Sequence, residues 1–157
     1  MKAINAQWFE CKIRYEKYME NGLVKKVTEQ YAVDALSYTE AEKRIIEEMK
    51  AYISGEFEVA TITKAAYKEV FFDDGDNCSD RYYRAKLDFI TIDKKTDQEK
   101  RCRTTYLVQA TTLKNALENV NKVMGGTMID YEAAAITDTK LLDVFLHQNT
   151  QETDKEK

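Results

Sequence analysis

The sequence predicts an α+β fold: tandem duplicated strand-strand-helix-strand units forming a pseudo-two-fold antiparallel sheet arrangement with two helices. Three observations carry this. Residues 57–63 (FEVATIT) return as 131–137 (YEAAAIT), and Val70-Phe71 returns as Val144-Phe145, both at an offset of 74. Residues 31–35 (YAVDA) return as 106–110 (YLVQA) at an offset of 75, and Ala41, Ile45 and Met49 return as Ala116, Val120 and Met124. Within each copy the apolar period runs in the same order, from two to 3.6 and back to two. A repeat this long marks a duplicated unit. Each copy is near the size at which a lone core is marginal, so the halves are expected to share one core.

The elements follow in order. Residues 8–16 alternate, with Phe9, Cys11, Ile13 and Tyr15 on one face and Trp8, Glu10, Lys12 and Arg14 on the other, as in a half-buried strand. Glu20-Asn21-Gly22 is a turn, because Asn and Gly tolerate positive φ. A second strand spans 26–36, with Tyr31, Val33 and Ala35 facing inward. Thr39-Glu40-Ala41-Glu42 reads as a capping box. It opens a helix whose apolar stripe is Ala41, Ile45, Ile46, Met49 and Ile53, and Gly55 ends it. Residues 57–63 form a third strand, and 65–72 a short return ending in Val70-Phe71-Phe72.

In the second copy Tyr83, Ala85, Leu87 and Phe89 face inward, while Tyr82, Arg84 and Lys86 face outward. Lys94-Lys95-Thr96-Asp97 is the turn, and Tyr106, Val108 and Ala110 line the next strand's buried face. Thr112 caps a helix with the stripe Ala116, Leu117, Val120 and Met124, and Gly125-Gly126 closes it. The expected organisation is repeat 1 at 8–72, an acidic linker at 73–81, repeat 2 at 82–146 and a polar tail at 147–157. That tail has no apolar residue from 148 on and is expected to be disordered. Six to eight strands are expected in all. With no proline, their edges have to be paired or charged.

Composition excludes several classes of function. The net charge is −4, and Asp73, Asp74, Asp76 and Asp80 account for all of it. A polybasic nucleic-acid coat and a polybasic membrane-surface segment are therefore excluded. Cys11, Cys78 and Cys102 are odd in number and lack metal-ligand spacing, so they read as free thiols in a reducing cytoplasm. The opening MKAIN has no apolar core of a signal, and no stretch approaches 18 apolar residues. A cytoplasmic protein without membrane contact is expected.

The opening Trp8-Phe9-Glu10-Cys11-Lys12-Ile13-Arg14-Tyr15, the segment 26–42 and Ile53-Ser54-Gly55-Glu56-Phe57 resemble an uncharacterised family. Its members are small proteins from gut Bacteroidota and their phages, filed as a domain of unknown function. The resemblance covers the chain from Trp8 to Phe145. It implies a bacterial or phage cytoplasmic origin and transfers no catalytic residue.

The residues themselves offer little catalytic chemistry, and no enzyme is expected. The single histidine, His147, borders the polar tail and has no positioned partner, which acid-base catalysis requires. Cys11 reads as a small core residue. Arg101 and Arg103 beside Cys102 would lower its pKa, but no base accompanies it. The acidic stretch 73–80 is rich in oxygen ligands yet lacks the spacing of a calcium loop, so it reads as a solvated linker. No metal or cofactor is expected.

The outward strand faces are the candidate site. Trp8, Lys12, Arg14 and Lys26 share one, and Tyr82, Arg84, Lys86, Arg101 and Arg103 share the other. Rings stack on bases and guanidinium groups pair with phosphate oxygens. Glu10, Asp34 and Asp88 fall on the same faces. The first functional expectation is thus a non-enzymatic module binding a nucleic acid or an anionic nucleotide. The negative total charge favours a small or local anion over a long duplex. The alternative is a protein-protein module, such as a regulator or a phage-encoded inhibitor of a host protein.

Overall fold

Alternation sets the strands. β1 (Gln7–Tyr18) buries Phe9, Cys11 and Ile13, and its equivalent β5 (Arg81–Ile92) buries Tyr83, Ala85 and Leu87. β1 turns into β2 (Val24–Ala35) through Asn21-Gly22. Gly22 has φ +83, and the Asn21 Oδ1 accepts the Leu23 N–H at 3.1 Å. β5 turns into β6 (Glu99–Ala110) with Asp97 at φ 56, a left-handed position that Asp tolerates. The computed structural model describes residues 7–73 and 79–146. The tail and His147 lie outside them, as do residues 74–78 with Cys78 and the middle of the acidic linker.

Each hairpin leads into a helix, α1 (Tyr38–Tyr52) and α2 (Leu113–Met124). Thr112 caps α2 as expected, its hydroxyl accepting the Asn115 N–H at 3.1 Å. The N-cap of α1 is a correction: it is Ser37, which accepts the Glu40 N–H at 3.2 Å, not Thr39. Ser37 is the extended residue from which the helix departs, at φ −154. The end of α1 is also corrected. Ile53 caps it in an extended conformation, with its N–H on the Met49 carbonyl, and Gly55 lies beyond. Gly125 caps α2 at φ −60, so positive φ is not what selects glycine there. A Cβ at Gly125 would sit 2.8 Å from the Asn121 carbonyl oxygen, which leaves room only for hydrogen.

β3 (Phe57–Lys64) and β7 (Tyr131–Asp138) follow the helices, and β4 (Val70–Phe71) and β8 (Leu141–Phe145) follow them. The strands form two four-stranded sheets, ordered β3-β1-β2-β8 and β4-β6-β5-β7. Hairpins and third strands pair antiparallel, while β8 lies parallel to β2 and β4 parallel to β6. The expected α+β fold with two helices and a duplicated sheet arrangement is borne out, and each sheet is mixed rather than wholly antiparallel. The described residues fall into two compact units: 7–65 with 141–146, and 66–73 with 79–140. Each sheet thus takes its fourth strand from the other repeat: β8 of the second joins the first sheet, and β4 of the first joins the second.

The cores follow the sheets. Phe9, Cys11, Ile13, Tyr31, Val33, Ala35, Ala41, Ile45 and Met49 form one buried cluster. Phe71, Ala85, Leu87, Tyr106, Val108, Val120 and Met124 form another, with Tyr83, Ala110 and Ala116 in a third. The Ile45 and Val120 stripes, expected in one core, fall in different clusters. The exchanged strands give the physical reason, because each brings a ring to cover the sheet it joins. Phe71 stacks on Tyr106 with centroids 4.8 Å apart, and Phe145 stacks on Tyr31 at 5.7 Å. Leu117 was expected on the α2 stripe but is exposed, and Ile46 on α1 is half-buried.

The edge strands β3 and β7 are guarded by neither proline nor dense charge. Each instead carries a register shift, between Lys12/Ile13 of β1 and between Lys86/Leu87 of β5. The irregularity leaves Ala60 and Ala134 as the extra residues. Such bulges bend an edge and discourage further pairing.

Burial also separates the thiols. Cys11 is fully buried, and its pKa is pushed up to about 12, first by burial and then by the Glu10 carboxylate. Cys102 is exposed. Because the thiolate is the nucleophile, iodoacetamide should alkylate Cys102 in the native protein and spare Cys11 until denaturant is added. Peptide mass spectrometry reads this out. Equal labelling of both would mean that β1 presents its other face to the core.

Candidate functional site

The outward faces start from strand parity. On β1, Trp8 pairs across β2 with Asp34, Lys12 with Gln30, and Arg14 with Thr28, while Lys26 of β2 faces Glu16. Arg14 Nη1 donates to Glu58 Oε1 of β3 at 2.8 Å. Trp8 is half-buried. Lys12 and Lys26 are exposed and make no ion pair among the described residues.

The second face departs further from expectation. Tyr82 is a correction: it is 3% exposed and offers no plate for a base. Its hydroxyl accepts from Gln109 Nε2 at 3.4 Å, and its carbonyl accepts from the Thr139 hydroxyl at 2.6 Å. Gln109 Nε2 also donates to the Ser79 carbonyl at 3.0 Å, and its Oε1 accepts the Asp73 N–H at 2.9 Å. Arg84 is half-buried, with its guanidinium carbon 6.0 Å from the centroid of the buried Tyr67 ring. Lys86 is exposed and without an ion pair among the described residues.

Arg101 and Arg103 are exposed but already engaged. Arg103 donates from Nε and Nη2 to the two Asp88 oxygens at 2.8 and 3.2 Å, the fork geometry of a bidentate pair. Arg101 Nη1 donates to Glu132 Oε2 at 2.6 Å, with Glu99 at 3.7 Å and Asp88 at 3.9 Å. A buried carboxylate needs such partners, and Asp88 is only 9% exposed. The hydrogen bond from Arg103 holds the Asp88 carboxyl below its usual range, against the opposing push of burial. Both arginines are held more firmly in their charged form, first by their hydrogen bonds to Asp88 and Glu132.

The structure therefore brings Asp88, Arg101, Arg103 and Glu132 together and withdraws Tyr82 and Arg84 from them. The first face shows a related exchange. Arg14 and Glu58 stand where the second copy has Asp88 and Glu132, so one copy draws its cation from the first strand and the other from the second. Sequence reasoning missed that each face closes at one end. Ala32 and Leu107, both of outward parity, are fully buried, as is Asp34, to whose carbonyl Arg44 donates at 2.7 Å. The signal was available: Tyr31-Ala32-Val33 and Tyr106-Leu107-Val108 run apolar without alternation, as strands covered on both faces do.

Among the described residues no group of His, Cys, Asp or Glu is arranged to hold a metal ion. Among the same residues no helix is long and apolar enough to cross a membrane. The fold and the self-paired face define an α+β protein of two helix-backed mixed sheets. The chain belongs to the family described as Domain of unknown function (DUF4494), whose model matches residues 7–148. No curated protein matches it.

Proposed function

We propose that this chain is a non-enzymatic binding module whose ligand is the surface of another protein. The observation that carries the reading is the engagement of the candidate face within the fold. Its arginines are answered by Asp88, Glu132 and Glu58, and Tyr82 is buried, so base stacking and phosphate pairing are both weakly served. What stays exposed and unanswered includes large apolar side chains, the anchors of protein interfaces. The bacterial or phage origin implied by the opening motif fits a regulator of a host protein. The free thiols at Cys11 and Cys102 fit a reducing cytoplasm.

A second reading, an anionic nucleotide or a single strand, is favoured by Lys12, Lys26 and Lys86, which are exposed without ion pairs among the described residues. Two measurements separate the readings. Trp8 fluorescence titrated at low salt with short oligonucleotides, mononucleotides and dinucleotides should not change; a saturable, salt-sensitive response would favour the second reading. Gentle purification from native cells, followed by native mass spectrometry, should find a protein at fixed stoichiometry that survives nuclease. Nuclease-sensitive material in its place would overturn the proposal.

A further inference from the structure

The two hairpins serve as each other's control. They occupy matching positions in similar sheets, so a feature found in only one is not required by the fold. The β5–β6 hairpin closes with a single large apolar side chain, the exposed Ile92, which pairs with Glu99; Thr91 pairs with Lys100, and the turn between is the wholly polar Asp93-Lys94-Lys95-Thr96-Asp97-Gln98. The β1–β2 hairpin closes in apolar residues. Tyr18 pairs with Val24, and Met19 donates its N–H to the Leu23 carbonyl at 2.8 Å. These four side chains are 79%, 48%, 42% and 66% exposed, in the order Tyr18, Val24, Met19, Leu23. Alternation along the strands directs Tyr18 and Val24 to one face of the hairpin and Met19 and Leu23 to the other.

A second difference lies one pair further back. Lys17 stands directly opposite Lys25, both exposed and neither ion-paired among the described residues, where the sister hairpin sets Thr91 against Lys100. Like charges directly opposite one another are unfavourable in a sheet. No ion pair among the described residues offsets that repulsion, and an external anion would. The tip is also held in shape by the positive φ of Gly22, the Asn21 side chain and the Gly22 N–H on the Met19 carbonyl at 3.0 Å. A preformed tip loses little freedom on docking.

We infer that the β1–β2 hairpin tip is a docking finger for an apolar groove rimmed by carboxylates on a partner protein. The inference rests on the reading of the chain as a protein-binding module. Apolar groups on both faces fit a groove, and the Lys17–Lys25 pair fits an acidic rim. An anionic bilayer suits the tip less well, because Glu20 leads at the apex and would enter the hydrocarbon first.

The test replaces Tyr18 with the photo-crosslinking residue p-benzoylphenylalanine in native cells, with the same replacement at Ile92 as control. A discrete protein adduct is expected from position 18 and none from 92. The crosslinked peptide should be apolar with Asp or Glu nearby. Lys17→Glu with Lys25→Glu in the position-18 background should cut the adduct yield by about tenfold, as lost charge complementarity slows encounter. Leu23→Ser, also at an exposed site, should reduce it as well, with far-UV circular dichroism unchanged. Adducts from position 92 but not 18 would sink the finger and leave the protein-binding reading standing. No adduct from either, with no protein at fixed stoichiometry in the native purification, would sink both. Sedimentation with phosphatidylserine–phosphatidylcholine vesicles that depends on Leu23 and Lys25 would overturn the protein partner in favour of a membrane.

Discussion

Shortening the chain after Lys140 is expected to destabilise the sheet built on residues 7–64 severely, although the cut lies more than seventy residues from it in sequence. The reason is the parallel pairing of β8 with β2, in which Val144 lies beside Ala32 and Phe145 beside Val33. Leu141 and Val144 are buried, at 4% and 7% exposure. Burying one such side chain stabilises by about 1.5–3 kcal/mol, so these two contribute on the order of 3–6 kcal/mol. Losing the Phe145 ring from Tyr31 and Tyr52 adds to the deficit. A domain is commonly stable by only about 5–15 kcal/mol. The chain's single tryptophan, Trp8, sits on β1 of the affected sheet and reports its unfolding by fluorescence. Its urea transition should move to much lower denaturant, and β2 amides should be among the first to exchange faster. A matched deletion of 148–157 removes no apolar residue and should leave the transition in place. An unmoved Trp8 transition after the longer deletion would mean that β8 contributes nothing to this sheet.

That prediction turns on the feature least legible in the sequence. The elements themselves were plain, because period two and period 3.6 follow from local backbone geometry. Core positions followed too: Phe9, Cys11, Ile13, Ala41, Ile45 and Met49 are buried as their spacing implied. Even the misplaced cap was recoverable. The offset of 75 that carries Ala41 to Ala116 carries Ser37, not Thr39, to Thr112. Strand exchange is different in kind. Val70-Phe71 and Val144-Phe145 look alike, and each would suit either sheet, so no local pattern states which one it joins. The candidate face was half legible for a related reason. Parity placed Arg14, Arg101 and Arg103 on outward faces, but parity does not tell an open face from a covered one. Tyr82 has outward parity and is buried, and Asp88 has it and is held by Arg103.

Replacing Ile45 with Ala should cost about 2–5 kcal/mol, because the side chain is fully buried on α1 and its removal leaves a cavity that α1 and the sheet fill only in part. Val120→Ala on α2, equally buried, removes fewer carbons and should cost about 2 kcal/mol. The double variant is the informative one. Ile45 packs in a cluster with Phe9, Ile13, Val33 and Met49, and Val120 in a cluster with Leu87, Tyr106, Val108 and Met124, with no member in common. Substitutions that share no partner add within about 0.5 kcal/mol. Urea unfolding of the wild type, both single variants and the double variant closes the cycle. Additive losses are expected. Losses near zero for both singles would remove the helix stripes from the core. A coupling well beyond 0.5 kcal/mol would restore the single shared core that the size of each repeat first suggested.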